Sequence, residues 1–99
     1  MEDKVMNLLH IARKARMLKS GYDACERSCF SNGAKLLIYA SDLAERSKKH
    51  LLELANANNV KIIEYGSKSL FGNEFKIRDI GIICIEDANL AKGILRSIG

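Results

Sequence analysis

The chain has 99 residues, 47% of them apolar, and its 16 Lys and Arg against 12 Asp and Glu leave a net charge of +4. That size and composition suit one compact domain with a real core and exclude a disordered chain. The longest apolar runs, Leu36 to Ala40 and Ile82 to Ile85, are too short to cross a bilayer, and the opening MEDK has no continuous apolar region behind it, as a signal peptide requires.

A first helix is expected from Glu2 to Met17, where Val5, Leu8, Leu9, Ala12 and Ala15 recur at the spacing that buries one stripe. His10, Arg13 and Lys14 fall on the other side. Leu18 to Ser20 is read as a very short strand. Gly21 then precedes a second helix, Tyr22 to Ser31, whose Cys25, Ser28 and Cys29 face inward, and Asn32-Gly33 stops it. Lys35 to Ala40 is a buried strand. Ser41 and Asp42 offer an N-cap, with Glu45 completing a capping box, for a third helix over Leu43 to Ala57 that buries Ala44, Leu51, Leu54 and Ala55. Val60 to Glu64 is the next strand. Gly66-Ser67 opens a short fourth helix ending near Gly72. Ile80 to Ile85, the most apolar segment, reads as a strand covered on both faces. Asp87 caps a last helix that buries Ala91, Ile94, Leu95 and Ile98.

The order is α-β-α-β-α-β-α-β-α. Such alternation argues for a mostly parallel sheet with helices on both faces. The fold class expected is α/β: a single domain over 1–99, a three-layer α/β/α sandwich around a four-stranded mixed sheet.

Enzyme signatures are missing. The chain has no dinucleotide-binding glycine fingerprint, no phosphate loop and no nucleophile elbow. Ser67, Lys68 and Ser69 could hold an anion at a helix start, but an N-cap serine explains them more simply. No catalytic residue and no cofactor is expected. Three cysteines cannot all pair within one chain, which fits a reducing, cytoplasmic setting. Cys25 and Cys29 lie one helical turn apart with no second pair to complete a zinc site, so they and Cys84 are read as core residues and no metal is expected.

What remains is charge. No acidic residue lies between Lys4 and Tyr22, while Arg13, Lys14, Arg16 and Lys19 do, and Arg46, Lys48 and Lys49 form a second cluster. A basic run is either a solvated helix face or a nucleic-acid footprint. Gly21 bares the start of the second helix, where N–H groups carry partial positive charge. Lys19 precedes it and Arg27 follows in its second turn, which makes a corner suited to phosphate.

The segment HIARKARMLKSGYDACERSCFSNGAKLLIYASD, followed by YGSKSLFG and IGIICIEDANLAKGI, resembles the ribosomal L-seven-Ae/L-thirty-e family, most of all its small bacterial YlxQ-type branch. The resemblance implies a sandwich that binds RNA, often at a kink-turn, where a bend carrying sheared G·A pairs opens a groove that A-form RNA hides. It implies a Gly-x-Asn-Glu-x-x-Lys pattern at the start of the second helix. Gly21 matches the glycine and Arg27 the lysine, while Asp23 and Ala24 stand where asparagine and glutamate are expected. Ala24 has no acceptor for guanine N–H groups. Asn32 stands in for a glycine whose turn asparagine can also adopt.

The resemblance further implies a second RNA-facing element over 75–79, with Phe75 and Ile77 toward bases and Lys76 and Arg78 beside them. The expected RNA-binding set is therefore Lys14, Lys19, Ser20, Gly21, Tyr22, Asp23, Arg27, Phe75, Lys76, Ile77 and Arg78. The expected function is a non-enzymatic RNA-binding protein of the ribosome or its assembly. Its expected partners are structured, ribosomal RNA and ribosomal or assembly proteins, with no membrane and no DNA. The alternative is a protein-interaction module on the same scaffold.

Overall fold

A computed structural model describes residues 3–98. Its elements follow the expected order: α1 (Lys4–Lys14), β1 (Leu18–Ser20), α2 (Tyr22–Phe30), β2 (Leu36–Tyr39), α3 (Glu45–Ala57), β3 (Lys61–Glu64), α4 (Lys68–Phe75), β4 (Ile82–Ile85) and α5 (Ala88–Ile98). Glu2, the expected first residue of the first helix, lies outside the described residues.

The sheet is four-stranded and mixed, in the order β1-β4-β2-β3. Only β2 and β3 pair in parallel; β4 runs antiparallel to both of its neighbours. The expectation of a mostly parallel sheet is thus corrected, and the reason lies in the connection through α4. Glu64 at the end of β3 and Ile82 at the start of β4 both pair with Tyr39. The chain leaves and re-enters the sheet at one end without crossing its length, so β4 must run backwards. The connections through α2 and α3 do cross the sheet, and β1, β2 and β3 therefore share a direction.

Alternation along the strands divides the core in two. Leu36, Ile38, Ile83 and Ile85 face α1, α4 and α5, together with Leu9, Phe71, Phe75 and Ile94. Leu37, Ile82 and Cys84 face α2 and α3, together with Cys25, Cys29, Leu51 and Leu54. Side chains two apart share a face of a sheet, so these two sets follow directly from the backbone. All three cysteines are buried and unpaired, as expected. The neighbouring Cys84 sulfur and burial push the Cys25 thiol well above its usual range.

Caps set most helix starts. Asp3 accepts from the N–H groups of Val5 and Met6 at 3.0 and 3.2 Å and begins α1. The Tyr65 hydroxyl donates to the other Asp3 oxygen, which ties the end of β3 to α1 and holds the Asp3 carboxyl below its usual range. Ser67 and Asp87 accept from Leu70 and Leu90, two of the caps read from the sequence.

The capping box at α3 does not form. Ala44 is the N-cap, is exposed and makes no side-chain cap bond, while Asp42 accepts from the Lys68 N–H at 2.9 Å. A nearer acceptor is lost to α3 because Asp42 instead holds the start of α4. Ala15 and Ile98 are also exposed rather than buried, since each lies at a helix end beyond the sheet.

The fourth helix passes through Gly72 and ends at Phe75, with Lys76 in the left-handed conformation. Gly72 is there for space rather than for a stop. A Cβ at this position would sit 3.1 Å from the Asp79 Cα and 3.2 Å from its N. The missing side chain lets the turn after α4 fold back onto the helix.

Candidate nucleic-acid interface

The start of α2 is built on Gly21, which has φ 88° and ψ 156°, a conformation that side chains disfavour strongly. Its own N–H donates to the Ile82 carbonyl at 3.0 Å, which fixes it to the start of β4. No side chain caps α2, so the N–H groups of its first turn point outward without a side-chain acceptor. A Cβ at Gly21 would meet nothing within 4 Å, so the corner is open to solvent. Replacing Gly21 with alanine should destabilise the fold by about 1–3 kcal/mol through backbone strain alone. A thermal melt several degrees lower than the parent's would show this; an unchanged melt would mean that the strain is absent.

The turn after α4 reaches the same end of the sheet. Lys76, Ile77, Arg78 and Asp79 are exposed, and the chain then enters β4 at Ile82, beside Gly21. Gly81 meanwhile accepts from the Ala40 N–H at 2.9 Å. The two segments implied by the resemblance thus converge at one end of the sheet.

Phe75 is buried rather than part of that exposed turn. It is 1% exposed, stacks on Phe71 at 6.3 Å, meets His10 edge-on at 5.2 Å and is covered by the Arg13 guanidinium at 5.4 Å. Its expected role toward bases is corrected, because α4 runs three residues further than expected and carries Phe75 into the core. The exposed element is therefore 76–79.

The other expected residues divide by position. Ser20 and Asp23 are exposed beside Gly21. Tyr22 is half-buried against the α2–α3 core, and burial raises its hydroxyl pKa. Lys14 is exposed on the last turn of α1, next to Arg13. Asn32 adopts φ 64°, the turn expected of it.

Lys19 and Arg27 line a cleft of about 760 Å³ with Ala24, Ser28, Phe30, Ser31 and Glu86. Lys19 points toward α2 because it alternates with Leu18, which packs on the other face. Its ammonium lies 3.7 Å from a Glu86 oxygen. The other Glu86 oxygen accepts from the Ser28 hydroxyl at 2.5 Å. Sequence reasoning missed Glu86 and Phe30. Glu86 enters the cleft only because β4 pairs with β1 in reverse, a pairing with no local signal. Phe30 was detectable as an aromatic one turn beyond Arg27 on the polar side of the helix.

Among the described residues, no group of three or more His, Cys, Asp or Glu could hold a metal, and no helix is long and apolar enough to cross a membrane.

With this geometry in place, residues 3–91 match the pattern of the Ribosomal protein L7Ae/L30e/S12e/Gadd45 family. The chain belongs to that family. No curated protein matches it. Among solved structures, it is similar to a Bacillus halodurans C protein of unknown function, at 24% identity over 98% of both chains and a TM-score of 0.91. It is also similar to a Giardia lamblia 15.5kD RNA binding protein, at 20% identity over 97% of this chain and 82% of the other, with a TM-score of 0.77. Both likenesses support the family fold. The site residues are this chain's own.

Proposed function

We propose that the chain is an RNA-binding protein of ribonucleoprotein particles, acting as one cytoplasmic, non-enzymatic domain in the ribosome or its assembly, as in the YlxQ-type branch of its family. Family membership and the RNA-binding Giardia relative support the coarser part of this reading. The observation that carries it is the uncapped start of α2, open at Gly21 and flanked by the exposed turn at 76–79.

Helix N–H groups and the local dipole favour phosphate oxygens at that corner. Arg27 lies about 9 Å further along the helix, at 1.5 Å of rise per residue, and can reach the next phosphate or a guanine edge. Lys76 and Arg78 meet the strand from the other side, with Ile77 offering apolar contact to a splayed base.

The experiment compares a kink-turn hairpin with the same hairpin whose G·A pairs are made Watson–Crick, at one fixed salt concentration. The expected result is tighter binding to the kink-turn. Equal affinity would remove the kink-turn claim and leave general RNA binding. No affinity for either would end the RNA reading and favour the second one, a protein-interaction module. Ala24 supports that second reading, because it offers no acceptor to guanine where the family pattern has a glutamate.

A further inference from the structure

The cleft beside α2 carries two groups that backbone binding leaves without a purpose. Phe30 is 66% exposed and belongs to neither core. Glu86 places a carboxylate beside Lys19 in the cleft that Arg27 also lines, and that carboxylate itself would repel a phosphate. A carboxylate accepts hydrogen bonds and cannot donate them, so its partners must be N–H or O–H groups.

The Glu86 carboxylate is held in place. Its hydrogen bond comes from Ser28, which is 3% exposed and itself accepts from the Cys84 thiol at 3.6 Å, so the anchor belongs to the core. The other oxygen faces only Lys19, whose exposed, flexible stem can swing away. Ala24, with the smallest side chain of the lining, borders the same cleft. Guanine alone among the four RNA bases presents two adjacent donors, N1–H and the N2 amino group, on its Watson–Crick edge. Those two donors fit the two oxygens of one carboxylate, each of which has lone pairs to spare. Phe30 offers a ring for stacking, and Arg27 sits one turn before it for a phosphate.

We infer that this cleft is a subsite for one unpaired guanosine nucleotide of an RNA strand, with the base edge on Glu86, the base face on Phe30 and the phosphate on Arg27. This rests on the RNA-binding reading above.

The test measures binding of oligouridine carrying one central guanosine, the same strand with adenosine or 1-methylguanosine there, and free GMP and AMP, each against the parent, Glu86→Gln and Phe30→Ala. Glutamine keeps an acceptor for Ser28, and Phe30 is exposed, so both variants should melt near the parent temperature. The parent should prefer guanosine by about 5- to 150-fold, the range of a good bidentate base contact. Adenosine and 1-methylguanosine should bind alike, Glu86→Gln should abolish the preference, and Phe30→Ala should weaken the guanosine strand severalfold. Equal affinity for guanosine and adenosine in the parent, or a preference that survives Glu86→Gln, would overturn the subsite. If no strand or hairpin bound while GMP, and not AMP, shifted the amide signals of Ala24, Phe30 and Glu86, the subsite would stand and the RNA reading would fall. If the hairpin bound while guanosine strands and GMP gave no selective response, the RNA reading would stand and the subsite would fall.

Discussion

Phe75→Ala should lower the stability of the fold by about 3–5 kcal/mol, the usual cost of removing a buried aromatic ring. For a domain of this size that is a loss of well over 10 °C in melting temperature. The ring fills the space between Phe71, His10 and Arg13, so its deletion leaves a cavity and also removes an edge-on contact and a cation–π contact. Urea unfolding should show a lower midpoint with an unchanged slope. Ile77→Ala, two residues on, should stay within about 0.5 kcal/mol of the parent, because that side chain is 38% exposed. RNA affinity should respond in the opposite way: Ile77→Ala weakens it, while folded Phe75→Ala protein retains it. A Phe75→Ala protein that melted with the parent but lost RNA would return the ring to the binding surface.

RNA affinity should fall steeply with salt. About three to five phosphate contacts give a slope of roughly −2 to −4 for log K against log salt, or a loss of about 15- to 250-fold between 50 and 200 mM. Lys19, Arg27, Lys76, Arg78 and the bare N–H groups of α2 are the contacts counted here. Arg27→Ala should weaken binding by about 1 kcal/mol or more and reduce the slope by about 1, since it removes one counterion-releasing contact. Lys19→Ala should have a smaller effect on the slope, because Glu86 already offsets part of its charge. A flat salt profile would remove the phosphate corner. A slope unchanged in Arg27→Ala would move the contact elsewhere.

Much of the fold was legible in the sequence because it is locally encoded. The i, i+3, i+4 stripes mark α1 and α3, strand alternation sets the two cores, and Ser67 and Asp87 cap the helices that follow them. The errors came from residues whose role is set by something distant in the chain. Asp42 looked like a local cap and instead holds Lys68, 26 positions away. Gly72 looked like a helix stop and instead makes room for Asp79. The site divides along the same line. Gly21 and Arg27 carry local signals, one as the N-cap of α2 and the other within that helix. Glu86 became visible only with the pairing of β4, and Phe75 only with the true length of α4.

The reversed central strand has a consequence for how this molecule comes into being. Among the described residues, β1 joins the sheet through β4 alone, and the Gly21 N–H is held by the Ile82 carbonyl. The first strand of the chain thus waits for the last one. A nascent polypeptide leaving the ribosome can assemble the β2–α3–β3 unit early, but the corner formed by β1 and α2 closes only after the C-terminal fifth has emerged. Pairing residues so far apart in sequence carries a larger loop-closure cost than the local β2–α3–β3 pairing, so the corner proposed for a nucleic acid should form after that unit.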